Sequence, residues 1–309
     1  MDIPNNKNDN HIFFQIILMA DMWSVIKPLM YPTKKCSNYF SYSNGNYAAL
    51  HNYFKLIQLK DKSSGLKFSY AAMILAASQG HFEMVKWLYF NKKYTDNDDV
   101  IGAIGAAARY GHLKIAKWLY KQTNLECSIL TLENAIMEGH LESVKWLCET
   151  FQKKWHRSTL DVAAKYGYLE IVKWIHFNNQ NVSATFAMNR AACDGHLEVV
   201  KWLLFNRKEG CTTRAMDLAA KYGHLDVIKW LHYNRTEGCT AGAMNKAAKY
   251  GHLDVIKWLH YNRTEGCTTG AIDKAVKYGH LNVIQWLHLN RTEDCTVRAI
   301  IEATKYGHL

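Results

Sequence analysis

The chain repeats nearly the same 28 residues many times, and this period limits the fold more than any other feature. A Gly-His or Gly-Tyr pair starts at Gly80, Gly111, Gly139, Gly167, Gly195, Gly223, Gly251, Gly279 and Gly307; after a first gap of 31, every gap is 28 residues. A Lys-Trp or Gln-Trp pair keeps the same step at Trp87, Trp118, Trp146, Trp174, Trp202, Trp230, Trp258 and Trp286, which takes up eight of the 10 tryptophans. The units 223–250 and 251–278 differ only at Ala241/Thr269, Met244/Ile272, Asn245/Asp273 and Ala248/Val276. A fixed period of this size means supersecondary units that bury one continuous core by stacking.

Residues 240–267 show what one unit builds. Thr240 is an N-cap, its hydroxyl placed to accept from an unpaired helical N–H. Ala243, Met244, Ala247 and Ala248 then share one helical face, and Asn245, Lys246 and Lys249 the other. Gly251 stops the helix as a left-handed C-cap. In the second helix, HLDVIKWLHYN, the residues Leu253, Val255, Ile256, Trp258 and Leu259 cover most of the circumference. That helix is therefore read as buried on several sides, with the tryptophan as inter-repeat core. Asp254, Lys257 and Tyr261 share the free stripe, where Asp254 and Lys257 are spaced to pair. The alanine pairs Ala163/Ala164, Ala191/Ala192, Ala219/Ala220 and Ala247/Ala248 let neighbouring helices approach closely.

The stretch AAKYGHLDVIKWL resembles the central part of an ankyrin repeat, A-A-x-x-G-H-x-x-x-V-x-x-L. It is most similar to the divergent tryptophan-containing form found in protists and their large DNA viruses. The resemblance implies an all-α helical-repeat solenoid with short inter-repeat turns. It departs from the family pattern in two respects. The Thr-Pro-Leu-His helix start is missing, since 214–217 reads Arg-Ala-Met-Asp and the only prolines are Pro4, Pro28 and Pro32. The period is 28 rather than about 33. The shortfall lies between one unit's second helix and the next unit's first, where the family carries β-hairpin fingers; here short turns are expected instead.

The expected organisation is a helical segment over 1–66, a cap or decayed repeat, followed by an array over 67–309 of eight helix pairs and a half-repeat. The run IFFQIILMADMWSVI (12–26) contains Gln15 and Asp21 and is too short to span a membrane, so it reads as a buried helix covering the first repeat. NGNYAALHNYFKLI (44–57) matches a decayed unit around Gly45 weakly. The last letters, KYGHL, open a unit whose second helix is missing, so a frayed half-repeat is expected there. No basic leader opens the chain, and an intracellular, cytoplasmic location is expected, the host cytoplasm if the source is viral.

Cys127, Cys211, Cys239, Cys267 and Cys295 share one repeat position. Equivalent atoms of stacked helices lie about 8–10 Å apart, too far for a disulfide or for one zinc. They are read as small buried thiols. The same spacing disposes of the Gly-His positions as a metal site. Asn-x-Ser/Thr at Asn181, Asn234, Asn262 and Asn290 is read as a polar helix end and turn. No nucleophile sits with a base outside the repeated residues, and Gly-Ala-Ile-Gly (102–105) lacks a phosphate-loop ending. Neither an enzyme nor a cofactor is expected.

What remains is surface. The net charge is +11. Arg109/Tyr110, Lys165/Tyr166, Lys221/Tyr222, Lys249/Tyr250, Lys277/Tyr278 and Lys305/Tyr306 form a basic-aromatic ladder at the first-helix ends, with Arg190, Lys246 and Lys274 one turn earlier. Lys173, Lys229 and Lys257 have acids three residues back, so uncompensated charge is expected to concentrate on the ladder. By the family resemblance this is the concave side. The reading is a non-catalytic protein-interaction scaffold with an acidic protein partner, no membrane and no small-molecule substrate. The alternatives are sequence-independent nucleic-acid binding by the same ladder, or a ubiquitin-ligase adaptor using residues 1–66.

Overall fold

A computed structural model describes residues 44–52, 54, 68–69, 71–91, 97–151, 158–178, 184–293, 295–305 and 307. The expected helix at 12–26 lies outside them. Every described element is a helix. Two compact units are distinguished, Met1–Cys127 and Ser128–Leu309. The first holds α1 (Asn44–Leu50), α2 (Ala71–Ser78), α3 (Phe82–Asn91), α4 (Asn97–Arg109) and α5 (Leu113–Thr123). The second runs α6 (Ile129–Met137), α7 (Leu141–Phe151), α8 (Ser158–Lys165), α9 (Leu169–Asn178), α10 (Thr185–Cys193) and α11 (Leu197–Asn206). It continues with α12 (Thr213–Tyr222), α13 (Leu225–Asn234), α14 (Ala241–Tyr250), α15 (Leu253–Asn262), α16 (Thr269–Lys277), α17 (Leu281–Asn290) and α18 (Val297–Lys305). Both units are stacks of antiparallel helix pairs, an all-α repeat solenoid, and no strand occurs among the described residues.

Local chemistry sets each boundary. Thr212, Thr240 and Thr268 cap α12, α14 and α16, their hydroxyls accepting from the N–H of Arg214, Gly242 and Gly270. Gly223 and Gly251 end α12 and α14 in the left-handed region, at φ 81° and 80°. The alanine pairs at 163/164, 191/192, 219/220 and 247/248 are fully buried, and successive first helices pack far more closely on each other than successive second helices do. Six of the second helices, α3, α9, α11, α13, α15 and α17, are closed by an asparagine whose side-chain amide donates to the tryptophan carbonyl four residues back, as Asn234 does to Trp230 and Asn262 to Trp258, both at 2.8 Å. At Asn234, Asn262 and Asn290 the sequon is thus a helix end; Asn181 lies outside the described residues.

The second helices are less enclosed than the sequence suggested. Val227, Ile228 and Leu231 are fully buried or nearly so, and so are Val255, Ile256 and Leu259. The tryptophans of the same helices are only partly buried, apart from Trp146. The indoles of Trp118, Trp202, Trp230, Trp258 and Trp286 pack edge-on against the preceding second helix. Trp258 meets His232 at 5.1 Å between ring centroids, and Trp230 meets Phe205 at 6.3 Å. The outer edge of each indole stays in solvent beside Phe177, Phe205, Tyr233 and Tyr261, which are 70–76% exposed.

Residues 44–52 reproduce the first half of a unit in geometry. Asn46 bonds Ser69, 23 residues on, through both its side-chain oxygen and nitrogen. Asp217 bonds Thr240, also 23 residues on. The Leu50 carbonyl meets His81 as the Lys221 carbonyl meets His252, each 31 residues later. The turn residue is Asn52 in the left-handed region at φ 56°, not Gly45.

Candidate partner-binding face

Over residues 184–305 three side-chain columns join one repeat to the next, and they fix the surface between them. In the first, an Asn or Asp in the first helix grips the N-cap threonine of the next unit. The Asp217 carboxylate accepts from the Thr240 N–H at 2.8 Å and the Thr240 hydroxyl at 2.7 Å. Asn245 accepts from the Thr268 N–H at 3.0 Å and donates to its hydroxyl at 2.8 Å. Asn189–Thr212 and Asp273–Thr296 repeat the grip. Asp and Asn are interchangeable here because a hydroxyl can either donate or accept. Sequence reading missed this column; its signal is an Asn or Asp followed 23 residues later by Thr.

The second column is the histidine of the Gly-His pair. Nε2 of His252 donates to the Lys221 carbonyl at 3.1 Å, and Nε2 of His280 to the Lys249 carbonyl at 2.9 Å. The acceptor is a carbonyl, so the proton sits on Nε2. The ring also fills the space above the preceding glycine: a Cβ on Gly251 would lie 2.8 Å from Nδ1 of His280. The histidine therefore ties two units together rather than closing its own turn.

The third column is in the turns. Arg235 pairs with Glu237, Arg263 with Glu265 and Arg291 with Glu293, each through two hydrogen bonds. The guanidinium also lies over a glycine of the preceding turn: that of Arg263 covers Gly238. Burial raises the Glu265 carboxyl, but bonds from Arg263 and from backbone N–H groups outweigh it and hold the group near about 2. Burial pushes the thiols of Cys211 and Cys267 up, and that of Cys239 up to about 12. Cys127, Cys211 and Cys239 are buried as expected, while Cys267 and Cys295 are only partly so. No cluster of potential metal ligands occurs among the described residues.

On this frame the first helices present the basic-aromatic residues. Tyr222 and Tyr250 stack with ring centroids 6.3 Å apart. The Lys221 ammonium lies 4.5 Å from the Tyr222 ring and 5.3 Å from the Tyr250 ring. Lys249 lies 5.1 Å from Tyr250 and 5.2 Å from Tyr278. Each lysine thus bridges the tyrosines of its own and the next unit, a cation–π arrangement. Lys221 also donates to the Tyr222 hydroxyl at 2.8 Å, a bond that holds its ammonium above the ordinary lysine range. Tyr222, Tyr250 and Tyr278 remain 41–45% exposed.

The structure does not join all the sequence-predicted site residues. Cys193 and Asp194 occupy the positions of Lys and Tyr in α10, so Lys165 and Tyr166 stand apart from Lys221. Arg109 and Tyr110 close α4 in the other unit. Lys246 is not uncompensated: its ammonium reaches the Asp217 carboxylate of the preceding unit at 3.4 Å. Lys274, whose preceding unit offers the neutral Asn245, is exposed. On the second helices, Lys173 pairs with Glu170 at 2.7 Å as expected. Lys229 and Lys257 form no such pair, because Asp226 and Asp254 are one methylene shorter than glutamate. Local neutralisation therefore does not single out the ladder; the stacked tyrosines do. No described helix is long and apolar enough to cross a membrane.

No curated protein matches the chain. The family description "Ankyrin repeats (3 copies)" matches residues 73–158, 104–186 and 160–241, and "Ankyrin repeats (many copies)" matches 244–288. These spans cover most of the sequence and coincide with the helix pairs described above. The chain belongs to the ankyrin-repeat family.

Proposed function

We propose that this chain is a non-catalytic, intracellular scaffold that binds an acidic protein partner along the first-helix face of residues 213–305, in keeping with ankyrin repeats as a class of protein–protein interaction modules. The observation that carries this reading is the lysine–tyrosine column. Lys221 and Lys249 are oriented by two tyrosine rings each, and no carboxylate of the described residues lies within ion-pair reach of either. Their charge is held in place before a partner arrives, which reduces the ordering penalty of binding. We take residues 44–57 as a decayed first unit. An adaptor role for residues 1–66 falls mostly outside the described residues.

The same column argues for protein over nucleic acid. Sequence-tolerant binding of single strands relies on open aromatic faces on which bases stack. Here the tyrosine faces are taken up by the neighbouring ring and by lysine ammoniums. Changing Lys221, Lys249 and Lys277 to Glu should abolish partner recovery in a pull-down while leaving the melting temperature nearly unchanged. Partner recovery that survives the triple change would defeat the reading. Recovery abolished by nuclease would assign the face to nucleic acid.

A further inference from the structure

We propose that the stretch Lys221–Lys249–Lys277 recognises an extended peptide in the polyproline II conformation, with a carboxylate at every third residue. This rests on the acidic-partner reading above and adds the spacing and conformation of the partner. The ammoniums of Lys221 and Lys249 lie 5.3 and 5.1 Å from the one ring of Tyr250. Those contacts keep the two ammoniums no more than about 10 Å apart, and the stacking of successive first helices, usually about 8–10 Å between axes, sets the step between them. Lys249 is placed against Tyr278 as Lys221 is against Tyr250, so the spacing carries on toward the next unit.

A ligand chain must offer carboxylates on one line at that step. Polyproline II turns once in three residues and rises about 3.1 Å per residue. Every third side chain then falls on the same line, about 9.3 Å from the last. A β-strand fails because side chains three residues apart point to opposite faces. An α-helix meets the step only with acids seven residues apart, about 10.5 Å, and its interior carbonyls are already bonded. A polyproline II backbone bonds nothing internally. Its carbonyls are free to accept from the exposed tyrosine hydroxyls and from the N–H groups of each ammonium not engaged by a carboxylate.

The test is fluorescence anisotropy on the full chain with labelled peptides of equal charge. One peptide repeats Glu-Pro-Pro; a second has the same composition with its glutamates adjacent; a third is an Ala-rich helix with glutamates seven apart; a fourth probe is oligo-dT. The Glu-Pro-Pro peptide should bind at least tenfold more tightly than the other three. Lys249→Gln should weaken it at least tenfold, and Lys257→Gln, the same charge change on the second-helix side, should not. Equal binding of the spaced and adjacent glutamates would overturn the register while leaving an acidic partner standing. Preference for the helical peptide would overturn the conformation, and preference for oligo-dT the partner class. If no acidic peptide binds, and the triple Lys→Glu change leaves the pull-down intact, both readings fall.

Discussion

Gly251→Ala tests whether the turn glycines are fixed by backbone conformation alone or also by the neighbouring unit. The residue sits at φ 80°, where a side chain costs about 1–2 kcal/mol. A new Cβ would also meet Nδ1 of His280 at 2.8 Å and its Cε1 at 3.0 Å. The imidazole must then move, although it is held by its 2.9 Å bond to the Lys249 carbonyl. Losing that bond adds about 1 kcal/mol and leaves a helix-end carbonyl without its partner. The single change should therefore cost about 2–3 kcal/mol. His280→Ala alone should cost about 1 kcal/mol. In the His280→Ala background Gly251→Ala should cost only its conformational share, about 1–2 kcal/mol. Amide hydrogen exchange over α14–α17 reads the effect locally, which suits a stack whose units need not unfold together. Equal costs in the two backgrounds would refute the second role of the glycine.

Trp258→Ala should destabilise by about 2 kcal/mol, below the 3–5 kcal/mol of a fully buried aromatic, because its outer edge is already in solvent; urea titration followed by circular dichroism checks this. Burial holds the thiols of Cys148 and Cys239 near about 12, so iodoacetamide at pH 8 should leave both unmodified in the folded chain and modify all 8 cysteines in guanidinium. Glu265 is held near about 2 against an ordinary value of 4.5. Its folded-state pKa is depressed, so its contribution is present above about pH 5 and is lost as pH falls toward 2. Glu265→Gln should accordingly flatten the acid-unfolding curve over that window, and a curve unchanged in slope would remove the Arg263 pair as its cause. Asp217→Ala should weaken the junction between α12 and α14, since it strips two hydrogen bonds from Thr240, whereas Asp217→Asn should be tolerated as Asn189 and Asn245 are; exchange rates across residues 213–250 distinguish the two.

What the sequence made legible is whatever repeats within one unit. Gly251, Thr240 and the pair Ala247/Ala248 declare their roles by chemistry and period alone, and they are where that reading put them. What it hid is whatever joins two units. The Asp217–Thr240 grip links residues 23 apart on different helices, and an Asp on a polar helix face reads as solvated when its neighbour is not in view. The Lys246–Asp217 pair was hidden for the same reason. Trp258 was overestimated as core because apolar character around a helix does not reveal that second helices splay while first helices close up. Residues 44–52 fall outside the Gly-His pattern because Asn52, another residue type that tolerates the left-handed region, stands where the other repeats have the turn glycine, and Gly45 has no such role.

The same hydrogen bond that stabilises each turn also sets the spacing of the ladder. The last carbonyls of a helix have no partner within it, and the carbonyl of each ladder lysine lies in that last turn. His252 and His280 of the following units satisfy the carbonyls of Lys221 and Lys249. The lysine backbone is thereby pinned to the next unit rather than left to fray. Its side chain is pinned to the next unit as well, by Tyr250 for Lys221 and by Tyr278 for Lys249. Two independent contacts thus tie Lys221 and Lys249 each to the next repeat. The step between ammoniums follows from the stacking of the units and not from side-chain rotamers chosen at binding, so a ligand with charges at that step meets a surface already in register with it.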